Sequence, residues 1–247
     1  NLQTVLSTQK SILTEYRRDI TKYEKDDNSQ KLYIDDIFKL LPSELNAKNK
    51  RFILKELNKK ARFASYESSF LWLRDAGVAL PTYNVEEPKE PLLLSKSRNL
   101  FKLFQNDVGL LTSQFANGIQ LSLINDDASI NFGAIYENVV AQELKAHGFD
   151  LYYYNSKRYG ELDFVVEHKG SVLPIEVKSG KDYHRHNALT NVLALPEYGM
   201  SSALVLCNGN VSVEGKVVYV PIYLLMFLDN EQRVDVTYKF DLSDLRM

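Results

Sequence analysis

Cysteine is almost missing from this chain of 247 residues, which carries only Cys207. That excludes a disulfide framework and any metal site built from cysteines alone. Long apolar runs are missing too. A run such as Val217-Val218-Tyr219-Val220 is far shorter than the ~20 residues a membrane helix needs. No charged start followed by an apolar stretch marks a signal peptide. Glycine and proline number only 11 and 7, and the hydrophobic fraction is 45%. This composition excludes collagen, a long coiled coil and intrinsic disorder. Neither sign of charge dominates, since 30 Lys+Arg stand against 32 Asp+Glu. What is left is a soluble, cytoplasmic globular protein of one to two domains. With Asn1 in first place, the chain reads as a piece of a longer polypeptide.

The balanced charge hides an asymmetry. Residues 1–125 hold 19 Lys+Arg and 15 Asp+Glu, whereas residues 126–247 hold 11 and 17. A mildly basic half joined to an acidic half suggests two units with different tasks. In the first, Val5, Leu6, Ile12, Leu13, Tyr16, Ile20 and Tyr23 recur at helical spacing. A second helix is predicted over Leu32 to Leu41, stopped by Pro42. A third spans about Lys48 to Arg62. A fourth is capped by Ser65, has Glu67 in its first turn and ends at Gly77. Extended segments follow at Val78 to Val85 and Leu100 to Phe104, around the proline-broken loop Glu86–Pro91. Helices followed by two strands suggest a winged helix-turn-helix. A helical bundle with an added hairpin has the same order of elements.

The second half, from the Asn125-Asp126-Asp127 boundary, changes character. A helix is predicted over Phe132 to His147. Three strands are predicted over Leu151–Asn155, Glu161–Glu167 and Ser171–Lys178, with a tight turn at Lys169-Gly170. A helix over Tyr183 to Leu195 and strands at Ser202–Cys207 and Val217–Val220 complete a layered α/β pattern.

The chemistry lies in Glu161-Leu162-Asp163-Phe164 and Ile175-Glu176-Val177-Lys178. Strand side chains alternate faces, so Glu161 shares a face with Asp163, and Glu176 with Lys178. A hairpin through Lys169-Gly170 sets Asp163 beside Glu176, with Lys178 close by. Such a pair of carboxylates, with the Val177 carbonyl, offers the hard oxygen ligands that Mg²⁺ prefers. A metal there would polarise a phosphate and acidify a bound water. Lys178 can orient that water or stabilise developing charge. Glu137, on the preceding helix, is a third candidate ligand. The same residues could instead form the solvated face of a hairpin, with Glu137 pairing a neighbour on the helix surface.

Asp163, then Glu176-x-Lys178 after a hairpin, with Glu137 upstream, resembles the PD-(D/E)XK nuclease superfamily. Phe132-Gly133-Ala134-Ile135-Tyr136-Glu137-Asn138 and Pro174-Ile175-Glu176-Val177-Lys178-Ser179-Gly180 are similar to the uncharacterised domain that follows the ATPase domain in bacterial and archaeal AAA-type ATPases. In the first half, Leu71-Trp72-Leu73-Arg74-Asp75-Ala76-Gly77 and Phe101-Lys102-Leu103-Phe104-Gln105-Asn106-Asp107 look like the same branch. The resemblance implies an α/β (α+β) protein: a helical, winged-helix-like region at 1–125, then a restriction-endonuclease-like mixed sheet flanked by helices at 126–247. It implies Asp163, Glu176, Lys178 and Glu137 as catalytic residues. It implies Mg²⁺ or Mn²⁺ held by Asp163, Glu176 and Glu137, and DNA as substrate. A preceding ATPase domain would be the partner and would bind the ATP, since no Gly-x-x-x-x-Gly-Lys-Ser/Thr loop occurs in these residues. A non-catalytic nucleic-acid-binding module, or a regulatory or protein-interaction module of the ATPase, is the alternative.

Lys48, Lys50, Arg51, Lys55, Lys59, Lys60 and Arg62 are opposed only by Glu56 and are candidates for a phosphate backbone. A solvated helix face or a dock for the ATPase domain is the other reading. His184-x-His186 looks like a metal pair but lacks a third soft ligand nearby, so it is expected in a polar cluster at a helix start that touches phosphate with Lys181 and Arg185. His147 and His168 are expected in exposed loops, and Cys207 in inert core.

Overall fold

The computed structural model describes residues 1–26, 33–46, 52, 63–115, 119–125 and 132–230. The first half supplies helices α1 (Leu2–Asp26), α2 (Ile34–Asn46) and α3 (Glu67–Asp75), the strands β1 (Ala79–Val85) and β2 (Lys96–Gln105), and the short helices α4 (Val108–Ser113) and α5 (Ile119–Ile124). The second supplies α6 (Gly133–Ala146), β3 (Tyr152–Ser156), β4 (Gly160–His168), β5 (Ser171–Val177), α7 (Asn187–Leu193), β6 (Ala203–Cys207), β7 (Ser212–Glu214) and β8 (Val217–Pro221). The basic run from Lys48 to Arg62 lies outside the described residues. No described helix is long and apolar enough to cross a membrane.

The eight strands among the described residues form one mixed sheet, ordered β2-β1-β3-β4-β5-β6-β8-β7. β3, β4 and β5 form an antiparallel meander. β5 and β6 are parallel and connect through α7. The β1–β2 hairpin does not stand apart as a wing. β1 pairs in parallel with β3, setting Tyr83 opposite Tyr152, so the hairpin extends the sheet of the second half. Its burial explains this. Phe101, Leu103 and Phe104 share one core with Phe38 and Leu41 of α2, Val140 and Leu144 of α6, and Phe164 and Ile175 of the sheet. A solvent-exposed wing would strand those side chains in water, at about 1.5–3 kcal/mol for each. A second core joins Tyr152, Tyr154, Leu162, Val165 and Val205 to Leu189 and Val192 of α7.

Several local expectations change for identifiable reasons. Pro42 lies inside α2 rather than ending it, and the helix runs on to Asn46. Ile34, Ile37, Phe38, Leu41 and Leu45 form one buried stripe, and the burial of Leu45 outweighs the bond lost at proline. Ser65 does not cap α3. It ends a 3₁₀ turn, Tyr66 takes the cap position, and no side chain caps the helix. Glu67 does occupy the first turn, and Gly77 follows the helix at φ +67°. The Lys169-Gly170 turn has φ +53° and +75° at its two residues, the mirror-image turn that matches strand twist. α7 starts at Asn187, four residues later than expected. β7 is an unexpected edge strand.

Candidate functional site

The sheet brings the two motifs together at β4 and β5. Phe164 lies opposite Ile175, and the same register sets Asp163 opposite Glu176. Asp163 is anchored from the partner strand, where the Val177 N–H donates to its Oδ2 at 2.8 Å. Glu176 is buried, and Lys178 donates to its Oε1 at 2.7 Å. The other oxygen, Oε2, is buried and accepts no hydrogen bond. An unsatisfied buried carboxylate oxygen is costly. Burial and the charge of Asp163 push the Glu176 carboxyl up to about 8, although Lys178 opposes them. Burial alone would lower the Lys178 pKa, but Glu176, Asp163 and Glu137 leave it raised.

Strict alternation fails on β4. Tyr152 pairs with Val165 and Tyr154 with Leu162, so one extra residue sits on β4 between these pairs. This is a β-bulge, and it re-aims the side chains around it. Leu162 and Phe164, expected on one face, enter different cores. Glu161 and Asp163 part in the same way. Asp163 meets β5, whereas Glu161 accepts from Asn155 Nδ2 and pairs with Lys102 Nζ at 2.8 Å.

Lys102 was not anticipated as a member of this site. It comes from β2, is fully buried, and lies 3.7 Å from Glu137 Oε2. Its ammonium is 5.0 Å from the centre of the Tyr153 ring. Burial would depress its pKa, but Glu137, Asp163 and Glu161 reverse this and raise it. The sequence does carry a signal, a lone charge within the apolar run Phe101-Lys102-Leu103-Phe104.

Glu137 is buried on α6. Its neighbour Asn138 fixes the helix against β2. Asn138 Oδ1 accepts from the Gln105 N–H at 2.8 Å, and Nδ2 donates to the Gln105 carbonyl at 3.0 Å. Gln142 adds a third tie by accepting from the Val108 N–H at 2.9 Å. The four acids thus fall into two pairs, each with a lysine: Asp163 and Glu176 beside Lys178, Glu137 and Glu161 around Lys102. Among the described residues no group of three or more His, Cys, Asp or Glu is placed to hold a metal ion. Asp163 and Glu176 remain as an adjacent pair of carboxyl groups that face a hard divalent cation with oxygen donors. That pair fits it in donor chemistry, through the unbonded Glu176 Oε2.

The histidines lie elsewhere. His186 is buried at the start of α7, with Nε2 2.7 Å from the Tyr219 hydroxyl, so it faces the core and not a phosphate. His184 lies 3.5 Å from Glu214. His147 ends α6 and its Nδ1 is 2.6 Å from the Leu228 carbonyl, while His168 is half-buried on β4. Neither is in an exposed loop. Cys207 is buried and unpaired with any other cysteine.

Two family models match the chain. Residues 132–225 match a domain of unknown function (DUF4143). Residues 1–121 match another domain of unknown function (DUF8612). No curated protein and no solved structure gives a significant match.

Proposed function

We propose that the Asp163–Glu176–Lys178 cluster is the centre of a PD-(D/E)XK-like module for divalent-metal-dependent cleavage of phosphodiester bonds in nucleic acid, DNA being the preferred substrate. The observation that carries this reading is the buried Oε2 of Glu176, left without a bond between Asp163 and Lys178. A carboxyl group kept dry and unsatisfied gains a partner when a cation arrives and displaces its proton. Mg²⁺ or Mn²⁺, when bound, would supply charge for the phosphate and an acidified water. Asp163 and Glu176 would hold the ion. The Val177 N–H keeps Asp163 aimed at β5, and Lys178 stands ready to neutralise charge on the phosphate or orient the water. The match of residues 132–225 agrees with the resemblance to the domain that follows AAA-type ATPase domains. On that reading a preceding ATPase domain in a cytoplasmic protein gates access to the site.

A second reading is also supported by an observation. Lys102 sets one positive charge, which does not exchange, between Glu137 and Glu161, two of the four acids. A centre so occupied suits a non-catalytic nucleic-acid-binding or regulatory module of the ATPase. Cleavage assays separate the two. The chain with its ATPase region is incubated with single- and double-stranded DNA and RNA in Mg²⁺ or Mn²⁺. The nuclease reading expects cutting that falls about 10²–10³-fold in Lys178→Met, the usual cost of one preorganised charge. Metal and DNA binding without any cutting would leave the regulatory reading.

A further inference from the structure

A buried lysine needs counter-charge, and Lys102 has it from both sides. Its ammonium lies 2.8 Å from Glu161 Oε1 and 3.7 Å from Glu137 Oε2, with no exposed surface. The flanking Phe101 and Leu103 are buried, so the stem cannot turn out to water without opening the core. α6, which carries Glu137, is pinned to the same strand by Asn138 on Gln105. Glu161 is held from its other side by Asn155. Both acids are thus fixed around one point, and a lysine ammonium occupies it.

We infer that Lys102 is the resident cation of this centre: its ammonium joins Glu137 to Glu161 where a second divalent ion would otherwise sit. The centre then accepts one exchangeable ion, at Asp163 and Glu176. That limit rests on the reading proposed above, whereas the role of Lys102 toward Glu137 and Glu161 does not. The strand bearing Lys102 belongs to the region matched by one family model, and the acids belong to the region matched by the other. The centre is therefore composite. The first half contributes a charge inside it, not only a surface beside it. Lys102 is a positioning residue, acting through Glu137 and Glu161.

The test is a double-mutant cycle on the full chain, read by melting temperature in EDTA and by calorimetric titration with Mn²⁺. Lys102→Met keeps the straight stem and removes the charge. Leaving the buried Glu137 and the partly exposed Glu161 without their cation should lower the melting temperature by roughly 10 °C. The decisive signature is a change of sign. Glu137→Gln should lower the melting temperature of the wild type but raise that of Lys102→Met. Lys102→Arg should recover part of the loss. Mn²⁺ should bind the wild type once and stabilise Lys102→Met more than the wild type. If Lys102→Met does not fold, the double variant K102M/E137Q should, and its failure too would overturn the inference. So would a strictly additive cycle, in which Lys102 contributes packing alone, or two Mn²⁺ ions per wild-type chain. A sign change in a protein that binds no Mn²⁺ would uphold Lys102 as the resident cation and remove the metal reading of Asp163 and Glu176.

Discussion

Glu176→Gln should make the metal-free protein more stable at high pH. The fold keeps the Glu176 carboxyl neutral, with its pKa moved from an ordinary 4.5 up to about 8 by burial first and then by Asp163. In the unfolded chain the same group ionises near its ordinary value. Between those two pKa values the folded protein binds more protons than the unfolded one. Stability is therefore full below about pH 4.5, falls as pH rises toward 8 and is flat beyond. Each pH unit of full difference is worth about 1.4 kcal/mol. The raised value already includes the opposing pull of Lys178 at 2.7 Å, so the whole loss is on the order of a few kcal/mol. For a chain of this length that is roughly 10 °C of melting temperature. Gln has the same shape and cannot ionise, so its stability curve lacks this component. Thermal or urea unfolding of both proteins in EDTA, from pH 5 to pH 9, measures the difference. The two should be within about 1 kcal/mol of each other at pH 5. At pH 9 the variant should be ahead by a few kcal/mol. A difference that does not change with pH would refute the reasoning.

Asn138→Ala removes both hydrogen bonds that hold α6 to Gln105, and it should cost about 2–4 kcal/mol of stability in urea unfolding, since buried backbone partners are left unsatisfied. Phe101→Ala should cost about 3–5 kcal/mol by the same measurement. Its ring meets Phe52, Phe63, Phe70 and Tyr83, so the loss falls where the hairpin joins the helices. Lys169→Asn should stabilise by a few tenths of a kcal/mol to about 1 kcal/mol, because Asn tolerates the positive φ of this turn better than Lys; an unchanged melting temperature would put the turn outside the stability of the hairpin.

The hairpin carrying Asp163 and Glu176 was legible because its turn and its period-2 pattern are local properties. Lys169-Gly170 prescribes the turn, and the turn prescribes the register. The bulge on β4 was not legible. It arises from pairing with β3 at Tyr152 and Tyr154, and nothing in Glu161-Leu162-Asp163-Phe164 itself marks the extra residue. The helices α1, α2, α3 and α6 follow from apolar spacing, but the end of α2 does not, because the burial of Leu45 lies in a contact distant along the chain. Whether the β1–β2 hairpin forms a free wing or a sheet edge depends on what covers it. Order of elements cannot decide that, and the apolar character of Phe101, Leu103 and Phe104 could have suggested it. Lys102 stands out in the sequence as a lone charge in an apolar run, but its role depends on the acids that face it from α6 and β4.

The most direct test of the central claim is calorimetric titration of Mn²⁺ into the full chain and into Asp163→Ala, at pH 7 in two buffers of different ionisation enthalpy. Glu176, largely neutral at that pH, must lose its proton before it can hold the ion. One ion per wild-type chain, close to one proton released, and binding lost in Asp163→Ala are the expected results. Equal binding by both proteins, or binding to the wild type without proton release, would contradict the claim.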